Sequence, residues 1–263
     1  MPNHAQVTPA QKCSDCEGVP IIKHPHPPKD PWDFVFQEQV PARFYYFLDQ
    51  FTVTNPSEAL DQISNFRAVA GSECKWQRVF LGDTVTGRPN SFIQLWRVPT
   101  DVPLDQQYAR LKQSQISRDF FGSVSSFERE LLYPMTYDPK VLNEPDPLAS
   151  SILDLNQQRD TPLAMILVNH ISVKSGAMQA FSCAKQEHFI PFVKEAPYNW
   201  RLIGAASKLT GSPGQVVQCW LLPQPNSLVQ TMRAIAQNSG YRVCLLPCIE
   251  SERQELYELR AGA

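Results

Sequence analysis

The sequence predicts an α+β protein built from two tandem copies of one small module, each with an antiparallel sheet. Three observations lead to this fold class. A stretch with a Gly-x-Pro turn and a Gln-x-Trp strand occurs twice, both halves present the same order of elements, and the strands are apolar on both faces. A repeat of this kind indicates the architecture before single residues are considered.

The repeat joins residues 85–99 (VTGRPNSFIQLWRVP) with residues 209–223 (LTGSPGQVVQCWLLP) without a gap. Thr, Gly, Pro, Gln, Trp and Pro recur in register. Residues 47–53 and 167–173 form a second matching pair upstream. Gly, Asn and Pro suit a tight turn between antiparallel strands, because Gly and Asn tolerate positive φ and Pro presets φ. The repeat therefore predicts one hairpin in each half.

Each half is predicted to contain strand, helix, strand, hairpin, strand, helix and strand. The first-half elements are 44–53, 56–70, 75–83, 91–98, 104–120 and 130–136, and those of the second half are 163–173, 176–194, 201–209, 215–222, 227–238 and 241–249. This order is that of the split βαβ, ferredoxin-like unit, whose sheet carries helices on one face only. Segments 92–96 and 216–220 are apolar at both odd and even positions, so both faces of these strands are predicted to be buried. The simplest arrangement that buries the face without helices is one sheet packed against the other.

Proline marks the predicted domain boundaries. Eight prolines in residues 1–41 block helix interiors and central strands, which predicts an extended N-terminal arm. Residues 138–161 are rich in Pro, Asp and Asn and are predicted to be a linker, with at most one short helix near 148–155. The two modules are then residues 42–137 and 162–263.

Composition narrows the classes of partner and compartment. The net charge of −2 gives no field that would steer the protein to nucleic acid or to an anionic membrane, so neither partner is predicted. No stretch approaches the roughly 18–20 uncharged apolar residues that span a bilayer, and the N-terminus has no signal-peptide pattern, so the predicted location is cytoplasmic. Seven cysteines, several within apolar strands, are typical of reduced, buried thiols rather than of a disulfide framework.

Three short motifs in the second half resemble a known family. Residues 201–205 (RLIGA), Gly211 and residues 215–220 (QVVQCW) resemble the NIPSNAP-like branch of the dimeric α/β-barrel superfamily, and residues 94–97 (QLWR) resemble the same strand ending. The resemblance implies sheets that pair as in a dimeric α/β-barrel, within one chain or between chains of a homo-oligomer. The superfamily includes cofactor-independent monooxygenases, isomerases, cyclases and haem-dependent enzymes, so no single activity is implied. Gln94 and Gln218 stand where a His is frequent in the family.

A metal-binding pattern lies in the N-terminal arm. Cys13, Cys16, His24 and His26 are the ligand types of a Cys₂His₂ zinc site, and the cysteine spacing is suitable. The two histidines are separated by one residue instead of the usual ~3–5, and the prolines around them stiffen the backbone. A docked or extended arm without metal is the alternative.

His170 is the candidate catalytic residue, since it is the only histidine in a predicted core strand. Imidazole is the side chain best suited to act as an acid, a base or a metal ligand near neutral pH. Strand alternation places His170 on one face with Val168 and Ser172, and Asn169 on the other. A structural core histidine and a haem ligand are the alternatives.

Further candidate ligand-binding residues lie on strands and on one helix. His188 is on the predicted helix 176–194 beside an apolar stripe, where a buried structural role and a pocket role are both open. Lys185 and Glu187 are expected on its solvated face. The pairs Gln94–Trp96 and Gln218–Trp220 could line matching cavities, with indole walls and one amide to orient a ligand. A symmetric seam between the two sheets is the favoured alternative, because both copies carry the same residues.

The resemblance to the dimeric α/β-barrel superfamily implies a small-molecule enzyme that acts on a hydrophobic, natural-product-like substrate without a cofactor, as an oxygenase, isomerase, cyclase or lyase. His170 is the expected acid or base, and Asn169, His188, Gln218, Trp220 and Trp96 are the expected pocket residues. Phosphate-loop, dinucleotide, serine-hydrolase and zincin motifs are absent from the sequence. A non-catalytic ligand-binding or scaffold protein and a haem enzyme are the alternatives.

Overall fold

Eight strands and six α-helices make up the part of the chain that the computed structural model describes, residues 44–85, 89–135, 164–195, 197–209, 214–222 and 228–260. The strands are β1 Phe44–Val53, β2 Gln77–Thr84, β3 Ser91–Pro99, β4 Val124–Met135, β5 Met165–Val173, β6 Arg201–Lys208, β7 Gln215–Leu222 and β8 Ile249–Leu259. The helices are α1 Pro56–Cys74, α2 Leu104–Gln113, α3 Gln115–Ser123, α4 Met178–Ala184, α5 Ile190–Lys194 and α6 Leu228–Gln237. The predicted arm, the predicted linker and the Cys13, Cys16, His24 and His26 site lie outside these residues.

The strands close into one antiparallel barrel in the order β1-β3-β2-β8-β5-β7-β6-β4. Within the first half, β1 lies between β3 and β4; within the second, β5 lies between β7 and β8. The halves join where β2 pairs with β8 and where β4 pairs with β6. The predicted α+β class and antiparallel sheet are confirmed, and the two groups of strands pair within one chain.

Local sequence explains where the first-half helices begin and end. Asn55 caps α1 by accepting a hydrogen bond from the backbone N–H of Ser57, and Lys75 ends the helix in a left-handed conformation with φ 58°. The predicted single helix 104–120 is two helices, because Ser114 leaves the helical region with ψ 130° and caps α3 through its side chain. A serine can satisfy an N-terminal N–H this way, which favours a break over a continuous helix.

The second half contains two π-helical turns, Lys185–Phe189 (π1) between α4 and α5, and Tyr241–Leu245 (π2) before a 3₁₀ turn and β8. The predicted strand 241–249 is therefore wrong, and the last strand is β8 instead. A short apolar run such as Val243–Leu246 cannot be assigned to a strand or a buried helical turn by periodicity alone. Leu245 packs among the second-half helices, where it is inaccessible to solvent.

Three apolar cores bury both faces of β3 and β7, as predicted for segments 92–96 and 216–220, whereas much of β4 and β8 is exposed. One fills the barrel, with Leu48, Leu95, Val168 and Cys219 among its members. The others lie between the outer sheet face and the helices, one in each half. Trp96 and Trp220 belong to these outer cores, so the predicted sheet-to-sheet seam of Gln-x-Trp pairs is wrong. Residues two apart on a strand share a face. Because these strands are apolar on both faces, the sequence pattern does not show which face turns into the barrel. No helix of the described segments is long and apolar enough to span a membrane.

Candidate functional site

The outer face of the first half is closed by a buried ion pair. Asp49 on β1 accepts two hydrogen bonds from Arg129 on β4, from Nε to Oδ1 at 2.6 Å and from Nη2 to Oδ2 at 2.7 Å. Gln94 and Trp96 on β3 also donate to Oδ2, at 3.2 and 3.0 Å. The guanidinium of Arg129 lies over the rings of Phe47 and Trp76. We call Asp49, Gln94, Trp96 and Arg129 the first-half layer, in which the Asp49 carboxylate is well satisfied.

Strand register places different residues at the matching points of the second half. Asn169 on β5 pairs with Gln218 on β7 and with Gln254 on β8, just as Asp49 pairs with Gln94 and Arg129. The charged partners of the first half are thus replaced by amides: Asn169 stands for Asp49, and Gln254 for Arg129. We call Asn169, Lys185, Gln218, Trp220 and Glu252 the second-half layer.

Polar groups in the second-half layer are only partly satisfied. Asn169 Nδ2 donates to Glu252 Oε1 at 3.1 Å, and Gln254 Nε2 donates to the same oxygen at 3.0 Å. Asn169 Oδ1 and the indole Nε1 of Trp220 are buried and have no hydrogen-bond partner among the described residues. Such groups are rare in proteins and indicate a missing partner, so this layer offers one acceptor and one donor to a ligand.

Lys185 is the residue that sequence reasoning missed, since it was expected on a solvated face. It is 1% exposed, and its Nζ lies 3.8 Å from the ring centroid of Phe189 and 5.7 Å from that of Phe181. Burial lowers its pKa to about 8, against the opposing charge of Glu252. Within the segments described, it belongs to no ion pair shorter than 4 Å. The signal was available: Phe181, Lys185 and Phe189 are four residues apart, which puts all three on one helix face.

His188, on π1, packs tightly against the residue before π2. A Cβ atom built on Gly240 would lie 2.6 Å from the Cβ of His188 and 2.8 Å from its Cγ. The two helical segments therefore approach closely at this point, and Nε2 of His188 is buried with no hydrogen-bond partner inside the described part of the chain. The contact gives His188 a packing role between π1 and π2.

Gly240→Ala is expected to lower the free energy of unfolding by about 1–3 kcal/mol, because the added methyl group overlaps His188. Urea denaturation measures this. The loss should shrink in a His188→Gly background, where the overlapping atoms are gone. An equal loss in both backgrounds would contradict the close contact.

His170 lies on the opposite face of the sheet, inside the barrel. Its Nδ1 is 3.8 Å from Glu130 Oε2 on β4, and its Nε2 is 3.7 Å from Glu255 Oε2 on β8. Glu130 also accepts a hydrogen bond from Lys208 Nζ at 2.5 Å, and Glu255 accepts one from Gln50 Nε2 at 2.6 Å. β4 and β5 are not neighbours, so the contact between His170 and Glu130 crosses the barrel interior. We call Gln50, Glu130, His170, Lys208 and Glu255 the inner cluster.

The inner cluster should contribute stability that is lost in acid. Proximity to His170 lowers the pKa of Glu255 to about 2, against burial and together with the hydrogen bond from Tyr257. Because this folded pKa is below the ordinary value of 4.5, the stabilisation is complete above about pH 4.5 and is lost as the pH falls toward 2. We expect Glu255→Gln to flatten the fall in unfolding free energy across this interval, as followed by urea titrations. A slope equal to that of the unaltered protein would count against the shift.

The structure thus divides the predicted site residues that it describes among four places, one of which is the contact of His188 between π1 and π2. Asn169, Gln218 and Trp220 lie together in the second-half layer, and Trp96 lies in the first-half layer. His170 belongs to the inner cluster, with the sheet between it and the second-half layer. No group of three or more His, Cys, Asp or Glu side chains in the described segments is arranged to hold a metal ion.

The fold is similar to that of several solved structures. A candidate monooxygenase from Lactobacillus acidophilus NCFM has a TM-score of 0.53 at 8% identity, over 82% of this chain and 93% of its own. An anthrone oxidase-like protein has a TM-score of 0.53 at 11% identity, over 85% and 95%. A candidate chlorite dismutase has a TM-score of 0.51 at 10% identity, over 83% and 96%. No family model matches the sequence, and no curated protein is significantly similar to it. At these identities the likeness concerns the fold alone.

Proposed function

We propose that this protein is a small-molecule enzyme of the dimeric α/β-barrel type, built from two tandem ferredoxin-like modules, which binds a hydrophobic aromatic substrate in the second-half layer. The reaction class is that of a cofactor-independent oxygenase, isomerase, cyclase or lyase. The fold shared with the candidate monooxygenase and with the anthrone oxidase-like protein supports this class.

One observation carries the proposal: the Asp49 carboxylate and the Trp96 indole have hydrogen-bond partners in the first half, whereas the matching Asn169 Oδ1 and Trp220 Nε1 have none among the described residues. Arg129 supplies the partner that Asp49 needs. Arg129 also covers the first-half layer, since its side chain lies over the layer and is only 12% exposed. The matching Gln254 is exposed and its neighbour Glu252 is half-buried, so the β8 side is the proposed entrance to the second-half layer. A ligand that enters there can supply the missing partners.

The chemistry of the second-half layer suits proton transfer to and from an apolar molecule. The rings of Phe181, Phe189 and Trp220 provide apolar walls, and Trp220 Nε1 can donate a hydrogen bond to a substrate oxygen. Lys185, with its lowered pKa, can act as a general base near neutral pH. Removal of a proton next to a carbonyl is a first step that oxygenation, isomerisation, cyclisation and elimination share.

His170 remains a second candidate acid or base, for a ligand in the barrel. The observation that favours it is the pair of carboxylates, Glu130 and Glu255, that flank its two ring nitrogens. These neighbours do not fit a haem, because a carboxylate oxygen within 4 Å of each nitrogen occupies the place of the iron. Haem chemistry through His170 is therefore not part of the proposal.

Thermal unfolding with a panel of hydroxylated aromatic aldehydes and ketones tests the ligand site. Compounds that bind are expected to raise the melting temperature by mass action. Trp220→Phe, which removes the unpaired donor, should abolish the increase. The matched variant in the first half, Trp96→Phe, should retain it, because Trp96 already donates to Asp49.

Two results would contradict this location. An increase that Trp96→Phe abolishes and Trp220→Phe retains would move the ligand to the first-half layer. An increase that depends on His170 and on neither indole would move it into the barrel.

A further inference from the structure

Lys185 has the surroundings of an amine that reacts with carbonyl compounds. Its ammonium group faces the rings of Phe189 and Phe181 instead of water or a paired carboxylate. Burial in such a layer disfavours the charged form of an amine. An uncharged amine is a nucleophile, and desolvation is one of the ways in which proteins activate lysine.

The backbone and its neighbours hold Lys185 in this position. It begins the π1 turn, and π-helical turns within α-helices are frequent at functional sites. Glu252, whose charge acts on Lys185, is fixed by hydrogen bonds from Asn169 and Gln254. The amine and a carboxylate thus approach one layer from the helices and from β8. The first half contains no described lysine at its closed layer, where Arg129 fills the space.

We propose that Lys185 forms a Schiff base with an aromatic aldehyde or ketone that binds in the second-half layer, an inference that rests on the proposed substrate site. The uncharged Nζ attacks the carbonyl carbon, a C–N bond forms, and the C=O π electrons move to oxygen. A proton passes from nitrogen to that oxygen with Glu252 as the relay, giving a carbinolamine. Loss of water then gives the C=N bond, and no oxidant or reductant is consumed.

The unpaired groups of the layer narrow the substrate class. Trp220 Nε1 is a donor without a partner and Asn169 Oδ1 an acceptor without one, among the residues described. A ring hydroxyl can donate to Asn169, and a second oxygen can accept from Trp220. Phe189 contacts both Lys185 and the ring of Trp220, which lies 5.6 Å away between centroids. The class that fits these groups is a hydroxylated aromatic carbonyl compound.

Reductive trapping tests the covalent step. The full chain is incubated near pH 7 with para-hydroxybenzaldehyde and sodium cyanoborohydride, which reduces a Schiff base to a stable secondary amine. Peptide mass spectrometry then gives the labelling rate of each lysine. With a pKa of about 8, Lys185 has about 10²-fold more uncharged amine than an exposed lysine of pKa ~10.4, and it should label faster by up to that factor. Lys75, whose side chain is 73% exposed, is the internal control.

The outcomes separate the covalent step from the proposed function. Preferential labelling of Lys185, lost in Lys185→Met without a change at Lys75, supports the Schiff base. Labelling spread evenly over exposed lysines overturns it. If para-hydroxybenzaldehyde still raises the melting temperature through Trp220 in the absence of reductant, the substrate site stands without the covalent step. If it neither labels Lys185 nor raises the melting temperature, both ideas fail for this substrate class.

Discussion

Asp49→Ala is expected to lower the free energy of unfolding by about 3–5 kcal/mol, because it leaves the buried Arg129 guanidinium without its carboxylate. Four hydrogen bonds converge on Asp49, which is inaccessible to solvent. Arg129 stays charged in the folded protein. Burial lowers the pKa of its guanidinium, but the charge of Asp49 outweighs burial and raises that pKa. Urea denaturation of the purified protein measures the loss.

The second half supplies the matched control for this experiment. Asp49→Asn with Arg129→Gln gives the first half the residues found at Asn169 and Gln254. Each single variant leaves one buried group without a partner, whereas the double variant removes both charges together. The double variant should therefore lose less stability than the sum of the singles, by roughly 0.5–3 kcal/mol. Strict additivity would show that the two residues do not act as a pair.

Lys185→Met is expected to reduce turnover of a substrate identified by thermal unfolding by ~10²–10⁴ while the fold is retained, because Met fills a similar volume but cannot accept a proton. Steady-state kinetics and circular dichroism provide the two measurements. A small effect on turnover would exclude Lys185 as the base.

His170→Gln is the companion variant, since it gives β5 the residue that β1 has at position 50. With chemistry in the second-half layer, this variant keeps most of its turnover, because the sheet separates His170 from the substrate. The reverse pattern, with His170→Gln inactive and Lys185→Met active, would place the reaction in the inner cluster. These two variants therefore distinguish the two candidate bases in one assay.

Several features were predictable from the sequence alone because they depend on local periodicity and turn chemistry. The strands that carry Gln94 and Gln218, and those that carry Asp49 and Asn169, lie close to their predicted positions. Apolar residues at both odd and even positions correctly indicated that both faces of β3 and β7 are buried. Strand alternation also correctly separated His170 from Asn169, since neighbouring residues on a strand face opposite ways.

Only the tertiary structure decided which face encloses the barrel, and with it the location of the candidate site. Periodicity gives two faces but does not say which one meets the helices, so the pattern of the Gln-x-Trp pairs suits a seam between sheets as well as the observed contact with the helices. The pairing of Asp49 with Arg129, 80 residues away along the chain, depends on the register between β1 and β4. The four-residue spacing places Lys185 on one helix face with Phe181 and Phe189, but only the packing of that face against the sheet shows that the charged side chain is buried there. The sequence therefore determines the elements and their two faces, whereas long-range register and helix packing determine which polar groups are left unpaired.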